Sequence, residues 1–171
     1  YKWYETADKE GYFTAKGTTY DKVVLYPFGY GLTYTSFEWT VKDVSIKKTG
    51  EEALVAFKKD DTITDKNTTV RVAVEVKNTG SVAGKEVVQL YTTAPYTKGG
   101  IEKPYVALTD FEKTQTLYPA SEAGEGKPNS ETVTLEFNLY DIASYDCYDK
   151  NGNGFASWEL ESGEYTLSLR N

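Results

Sequence analysis

The sequence predicts an all-β chain folded as a two-sheet antiparallel sandwich. Three observations lead there. Short segments alternate apolar and polar residues with a period of two, most plainly over 69–76 and 132–139. Turn-forming clusters such as NTGSVAG (78–84) and NGNG (151–154) separate these segments. The 15 tyrosines, with abundant Thr, Val and Gly, favour strands and turns, and no segment shows a leucine-rich helical period of useful length.

Residues 1–26 are aromatic and irregular; Tyr1, Trp3, Tyr4, Tyr12, Phe13 and Tyr20 require something to pack against. Pro27, Gly29 and Gly31 then punctuate a turn-rich crossing in which Tyr30 and Leu32 are expected to act as anchors. Phe37, Trp39 and Val41 alternate, the pattern slips by one residue, and Val44 and Ile46 resume it, which predicts a bulged strand over 36–47. A charged excursion covers 49–66, with a short strand expected within 53–57. Val70, Val72, Val74 and Val76 share one face of a strand over 69–77. The next strand, 85–93, is apolar on both faces at Val87, Val88 and Leu90 and is therefore expected to be central. Val106, Leu108 and Phe111 predict a strand over 105–113 that enters the core. Val133, Leu135, Phe137 and Leu139 point inward from 132–139, and further strands are expected at 142–148 and 163–170.

About seven strands joined by turns make an immunoglobulin-like sandwich, because a sheet that buries one face needs a second sheet against it. With a single cysteine the antibody-type disulfide is impossible, and a fibronectin type III-like sandwich needs none.

Composition excludes several functions. The chain contains no histidine, so histidine-based triads and most zinc sites are ruled out, and Cys147 reads as an inert, half-buried thiol. A net charge of −7 argues against a nucleic-acid partner, and no apolar run is long enough to span a membrane. The chain also lacks methionine, so Tyr1 is expected to mark a processed or otherwise defined boundary.

Catalytic candidates are thin. A glycosidase needs two carboxyl groups, and Asp141, Asp146, Asp149, Glu159 and Glu161 cluster in sequence, but the cluster reads as turns and surface. Asp149, Asn151 and Asn153 fit the first half of a calcium loop, D-x-[DN]-x-[DN]-G, yet the twelfth position is Leu160 in place of a bidentate Glu. A hairpin turn that prefers Asn and Gly is the simpler expectation, with no cofactor. Asn67-Thr68-Thr69 is a formal glycosylation sequon. Trp3, Trp39 and Trp158 are the rings available for stacking on sugar, with Trp39 expected to face the core and Trp158 to pack on the sandwich edge.

The segment PFGYGLTYTSFEW (27–39) resembles the entry to the C-terminal fibronectin type III-like domain of family 3 glycoside hydrolases. The resemblance continues through EVKNTGSVAGKEVVQLY (75–91), IEKPYVALTDFEK (101–113) and WELESGEYTLSL (158–169), in the family's order, while YKWYET (1–6) is similar to the exit of the preceding α/β domain. The resemblance implies an arm over 1–35 and a sandwich over 36–171. It implies a parent enzyme that is a retaining, exo-acting β-glucosidase or β-xylosidase, secreted, periplasmic or on the cell surface. The nucleophile and general acid/base of that family lie in a (β/α)₈ domain and an α/β-sandwich domain. No catalytic residue is therefore expected in this chain, and those two domains are its expected partners. The alternatives are a free-standing module for poly- or oligosaccharide, the non-catalytic chain of a split β-glycosidase, or an enzyme using local carboxylates.

Overall fold

The computed structural model describes residues 1–59 and 61–170; the parts of the charged excursion and of the C-terminal end that fall on Asp60 and Asn171 lie outside the described residues. One sheet has the order β2-β1-β3-β6, built from β1 (Phe37–Lys47), β2 (Val55–Ala56), β3 (Thr69–Asn78) and β6 (Ser130–Asn138). The second has the order β5-β4-β9, from β4 (Val87–Thr93), β5 (Ala107–Lys113) and β9 (Thr166–Arg170). A separate hairpin joins β7 (Ser144–Asp146) to β8 (Ser157–Glu159). All pairings are antiparallel.

Alternation sets the core. Ile46 pairs with Val70 and Val44 with Val72 across β1–β3, while Leu135 and Val133 stand opposite Val72 and Val74 across β3–β6. Val74, Val76, Val88, Leu117 and Leu135 are fully buried, and together with Leu90 and Phe137 they fill the space between the sheets. Complete burial of each such side chain contributes about 1.5–3 kcal/mol before conformational entropy is counted. The expected slip in β1 is a bulge between Val41 and Asp43, where Lys42 turns outward to Glu75 at 3.0 Å.

Four readings of the sequence are corrected. The first 35 residues contain three short helices, α1 (Lys2–Lys9), α2 (Tyr12–Ala15) and α3 (Tyr20–Val23). They carry no leucine period because they do not enter the core. The expected strand at 142–148 is a 3₁₀ turn, Leu139–Ile142, followed by the short β7, and its partner β8 had too few residues to show a period. Phe111 is 60% exposed. A register shift between Leu90 and Tyr91 sets Phe111 opposite Gln89, on the face of β4 turned away from the core. Val41, at the edge of its sheet, is likewise exposed.

β4 is central and buried on both sides, but for different reasons. Val88 and Leu90 face the core, while Gln89 and Tyr91 face the N-terminal arm. There the Tyr1 hydroxyl accepts from Leu108 N–H, Thr6 Oγ1 accepts from Tyr105 N–H, and Arg170 donates to Glu5 at 3.2 Å. The arm thus lies along the outer face of the second sheet.

Candidate functional site

Three surfaces carry residues that a function can use. The first is the arm. Phe13 is buried at the centre of an aromatic cluster, with Trp3, Tyr4, Tyr12 and Tyr20 around it at centroid separations of 5.7–6.4 Å. Trp3, Tyr4 and Tyr12 remain largely exposed. The rings therefore shield one another more than the sandwich shields them. The crossing that follows is more open still. Tyr30 and Leu32, expected as anchors, are 51% and 88% exposed, Leu25 is 82% and Tyr34 97%. The turn backbone is fastened by Gln89 Nε2 donating to the Gly29 carbonyl, and Phe28 stacks on Tyr1 at 3.9 Å. A Cβ on Gly29 would meet the Gln89 amide at 2.3 Å, and its φ of +83° also favours glycine.

The second surface is the β7–β8 hairpin, which holds most of the sequence's acidic cluster. Asp146 is buried, and its carboxylate accepts from the backbone N–H groups of Tyr148 and Asn151. Burial pushes its pKa up, but these backbone donors and the nearby Lys150 outweigh burial and hold it below the usual carboxylate range. Asp149 has φ of +51° and accepts from Gly154 N–H at 3.1 Å; Asn151 Oδ1 accepts from Asn153 N–H, and Asn153 Oδ1 from Phe155 N–H. The three calcium candidates thus direct their oxygens at the turn's own backbone. Among the described residues no group of three His, Cys, Asp or Glu side chains is arranged to hold a metal. Cys147, expected half-buried, is exposed on this hairpin.

Glu159 accepts from Ser157 Oγ and from Asn153 Nδ2, and these donors hold its carboxyl below the ordinary range. A glycosidase acid must instead be raised, next to an ionised partner. Among the described residues, the carboxyl held above the ordinary range is Glu86, raised by burial. It precedes β4, whose seven residues separate it from the Glu159 end of the sandwich by roughly 20 Å at about 3.3 Å per residue. Glu86 and Glu159 are therefore not paired for acid/base work.

The third surface is a groove of about 750 Å³ at the end of the sandwich where β3 begins and β6 ends. Phe57, Val70, Phe137 and Leu167 form its apolar floor, and Tyr140, Trp158 and Tyr165 stand around it. Trp158 is 57% exposed and meets Tyr145 edge-on at 5.5 Å, so it does not pack flat on the sandwich edge. Trp39 is half-buried against the core, as its alternation requires. Lys103, with a side chain only 3% exposed, pairs with Glu161 beside the groove. No local pattern signals this groove, because its walls come in large part from residues roughly 90–110 positions apart, Phe57 to Lys59 and Asp61 to Lys66 on one side and Trp158 to Leu167 on the other.

Residues 86–171 match the family described as the fibronectin type III-like domain. The chain belongs to that family. It is 43% identical over 144 residues to a β-glucosidase of Ruminococcus albus, an alignment covering 84% of this chain and 12% of that protein. Among solved structures, a β-glucosidase from Paenibacillus barengoltzii is 38% identical with a TM-score of 0.67, covering 86% of this chain and 13% of the other. β-Glucosidase 3B from Thermotoga neapolitana, in complex with glucose, is 34% identical with a TM-score of 0.61, covering 99% and 17%. This fibronectin type III-like chain therefore spans less than a fifth of each of these proteins. The resemblance to the C-terminal region of family 3 glycoside hydrolases holds over most of the chain.

Proposed function

We propose that this chain is a non-catalytic accessory domain of a family 3-type β-glycosidase, bracing the catalytic domains and helping to shape the rim of their active site. The observation that carries it is the uncovered apolar face from Leu25 to Tyr34, whose side chains the sandwich leaves in solvent. Contiguous apolar surface of this kind marks an interaction site. Its partners in this reading are a (β/α)₈ domain and an α/β-sandwich domain, with residues 1–35 as the arm between them and the sandwich over 36–171. The parent enzyme in this reading is a retaining, exo-acting β-glycosidase that works outside the cytoplasm. The small share of each β-glucosidase relative that the chain spans supports this reading. The placement of Glu86, held above the ordinary carboxyl range, away from Glu159, held below it, supports it too.

The test is made on the parent polypeptide, read from its gene, with Leu25→Asp and Leu32→Asp introduced together. The expected result is a melting temperature lowered by several degrees, with the chemistry of the remaining folded enzyme unchanged. An unchanged melting temperature would refute docking through this face. Cell fractionation with an antibody to this chain tests the location, and signal confined to the cytoplasm would contradict it.

A further inference from the structure

We propose that the groove at the end of the sandwich binds a short neutral oligosaccharide. The inference rests on the accessory-domain reading for its biological setting, but its physical case is separate. None of residues 1–35 lines the groove, so a ligand there leaves the arm's face free.

The first support is the pair of exposed rings. Trp158 and Tyr140 are 57% and 42% exposed although both border an apolar floor. Each is held from one side, Trp158 by the edge of Tyr145 and Tyr140 by the Lys66 ammonium at 5.3 Å. Rings fixed in this way offer contact area at small entropic cost, with a polar atom at hand. The C–H face of a pyranose is suited to such a surface. The Tyr145 and Trp158 planes stand at 63°, so they form no flat platform. Trp158 and Tyr140 border a groove with an apolar floor, a shape that suits a single chain and not the surface of a crystalline polysaccharide.

The second support is a set of fixed acceptors. Glu159 is oriented by Ser157 and Asn153, and Glu161 by Lys103. The donors that lock these carboxylates are not themselves lining residues. Ionised carboxylates accept strongly from hydroxyl groups, and side chains ordered beforehand add little entropic cost on binding. The third support is charge. Asp61, Glu159, Glu161 and Glu164 line the groove against Lys59 and Lys66. Like-charge juxtaposition disfavours an anionic ligand. The volume lies within the usual range of about 300–1,000 Å³ for small-molecule sites.

The test uses the whole 171-residue chain and cellohexaose, a neutral β-linked probe, with an oligogalacturonate of equal length as the anionic control. Calorimetry and tryptophan fluorescence should show saturable binding of cellohexaose and none of the galacturonate. Trp158→Ala and Tyr140→Ala should each weaken it by roughly tenfold, the scale of one aromatic contact, and Trp3→Ala should leave it unchanged. Hydrogen exchange on the unaltered chain should slow at 139–142 and 158–165 on binding, a readout that does not depend on how well the variants fold. No saturable binding at millimolar cellohexaose would overturn the proposal, as would equal binding of the galacturonate. It would also fall if hydrogen exchange in the parent enzyme showed the groove occluded by another domain. None of these results changes the melting temperatures of the Leu25 and Leu32 variants, so the two proposals fail separately.

Discussion

Asn78 is the residue whose loss should most disturb the sandwich without opening a cavity in its apolar core. It ends β3 and is 1% exposed. Its Oδ1 accepts from Thr35 Oγ1 and Gly80 N–H, both at 2.9 Å, and its Nδ2 donates to the carbonyls of Val82 at 2.8 Å and Leu117 at 2.9 Å. One amide therefore ties together the entry to β1, the turn after β3 and the loop leading to β6. Each such bond contributes about 1 kcal/mol net, and a buried group left unpaired costs about 1–3 kcal/mol. Asn78→Ala should thus lower stability by about 4 kcal/mol, partly relieved where water enters, which is a drop of roughly 8–16 °C in Tm for a chain of this size. Asn78→Asp keeps the shape but points a carboxylate oxygen at two carbonyls. That raises the folded pKa of the new Asp above its unfolded value near 3.9, so its penalty should grow as pH rises through and above that value. Urea denaturation at pH 4 and pH 7 measures both effects. A loss under about 1 kcal/mol for the alanine variant would show that the hub does not hold the turn. An aspartate penalty that is the same at both pH values would show that the carbonyls do not face it.

Deleting residues 1–26 should leave a folded sandwich, because the inner core draws on Ile46 to Phe137, but with a lower Tm since the Tyr91 face and Arg170 lose their cover; unfolding of the truncated chain by circular dichroism would contradict this. Glu161→Gln should cost about 1–3 kcal/mol by urea denaturation, because it leaves the buried Lys103 ammonium without its charge partner while the partial exposure of Glu161 screens the loss; Lys103→Met should cost less. Asp146 and Glu159 have depressed folded pKa values, so the stability they lend the hairpin is full above their unfolded values near pH 4 and is lost as pH falls through the folded ones. Trp158 fluorescence should therefore change below about pH 4, and a signal flat down to pH 2 would contradict it. The chain alone should not hydrolyse aryl β-glycosides; turnover that disappears on mutating one of its own carboxylates would show otherwise.

What the sequence made legible follows from what a strand must do. β1, β3 and β6 each bury one face against the other sheet, so their period of two was bound to appear, the Lys42 bulge showed as a skipped place, and β4, covered on both faces, showed as an apolar run without alternation. The motif NTGSVAG was readable as a turn, but its reason lies in three dimensions. A Cβ on Gly80 would stand 2.1 Å from Thr35 Oγ1 and 2.7 Å from the Ser36 backbone nitrogen, and Asn78 closes the same corner. Phe111 misled because a bulge on β5 reverses the parity of everything after it, and alternation read along one strand does not contain its partner's register.

The arm and the hairpin were obscure for opposite physical reasons. The arm's helices are short and are fastened to the second sheet by polar contacts from Tyr1, Glu5 and Thr6, with its rings clustered on Phe13, so no apolar stripe was needed to specify them. The hairpin is held by side chains bonding their own backbone, and a list of Asp, Asn and Gly residues reads equally as a cation loop, an acidic surface or a turn. Only the direction of the oxygens decides among these. Asp146 points into the hairpin and takes backbone N–H groups, while Glu159 is pinned beside Trp158 at the mouth of the groove. A cluster of five carboxyls in sequence thus divides between three that hold the backbone, Asp141, Asp146 and Asp149, and two, Glu159 and Glu161, that line the groove, a distinction that composition and spacing do not encode.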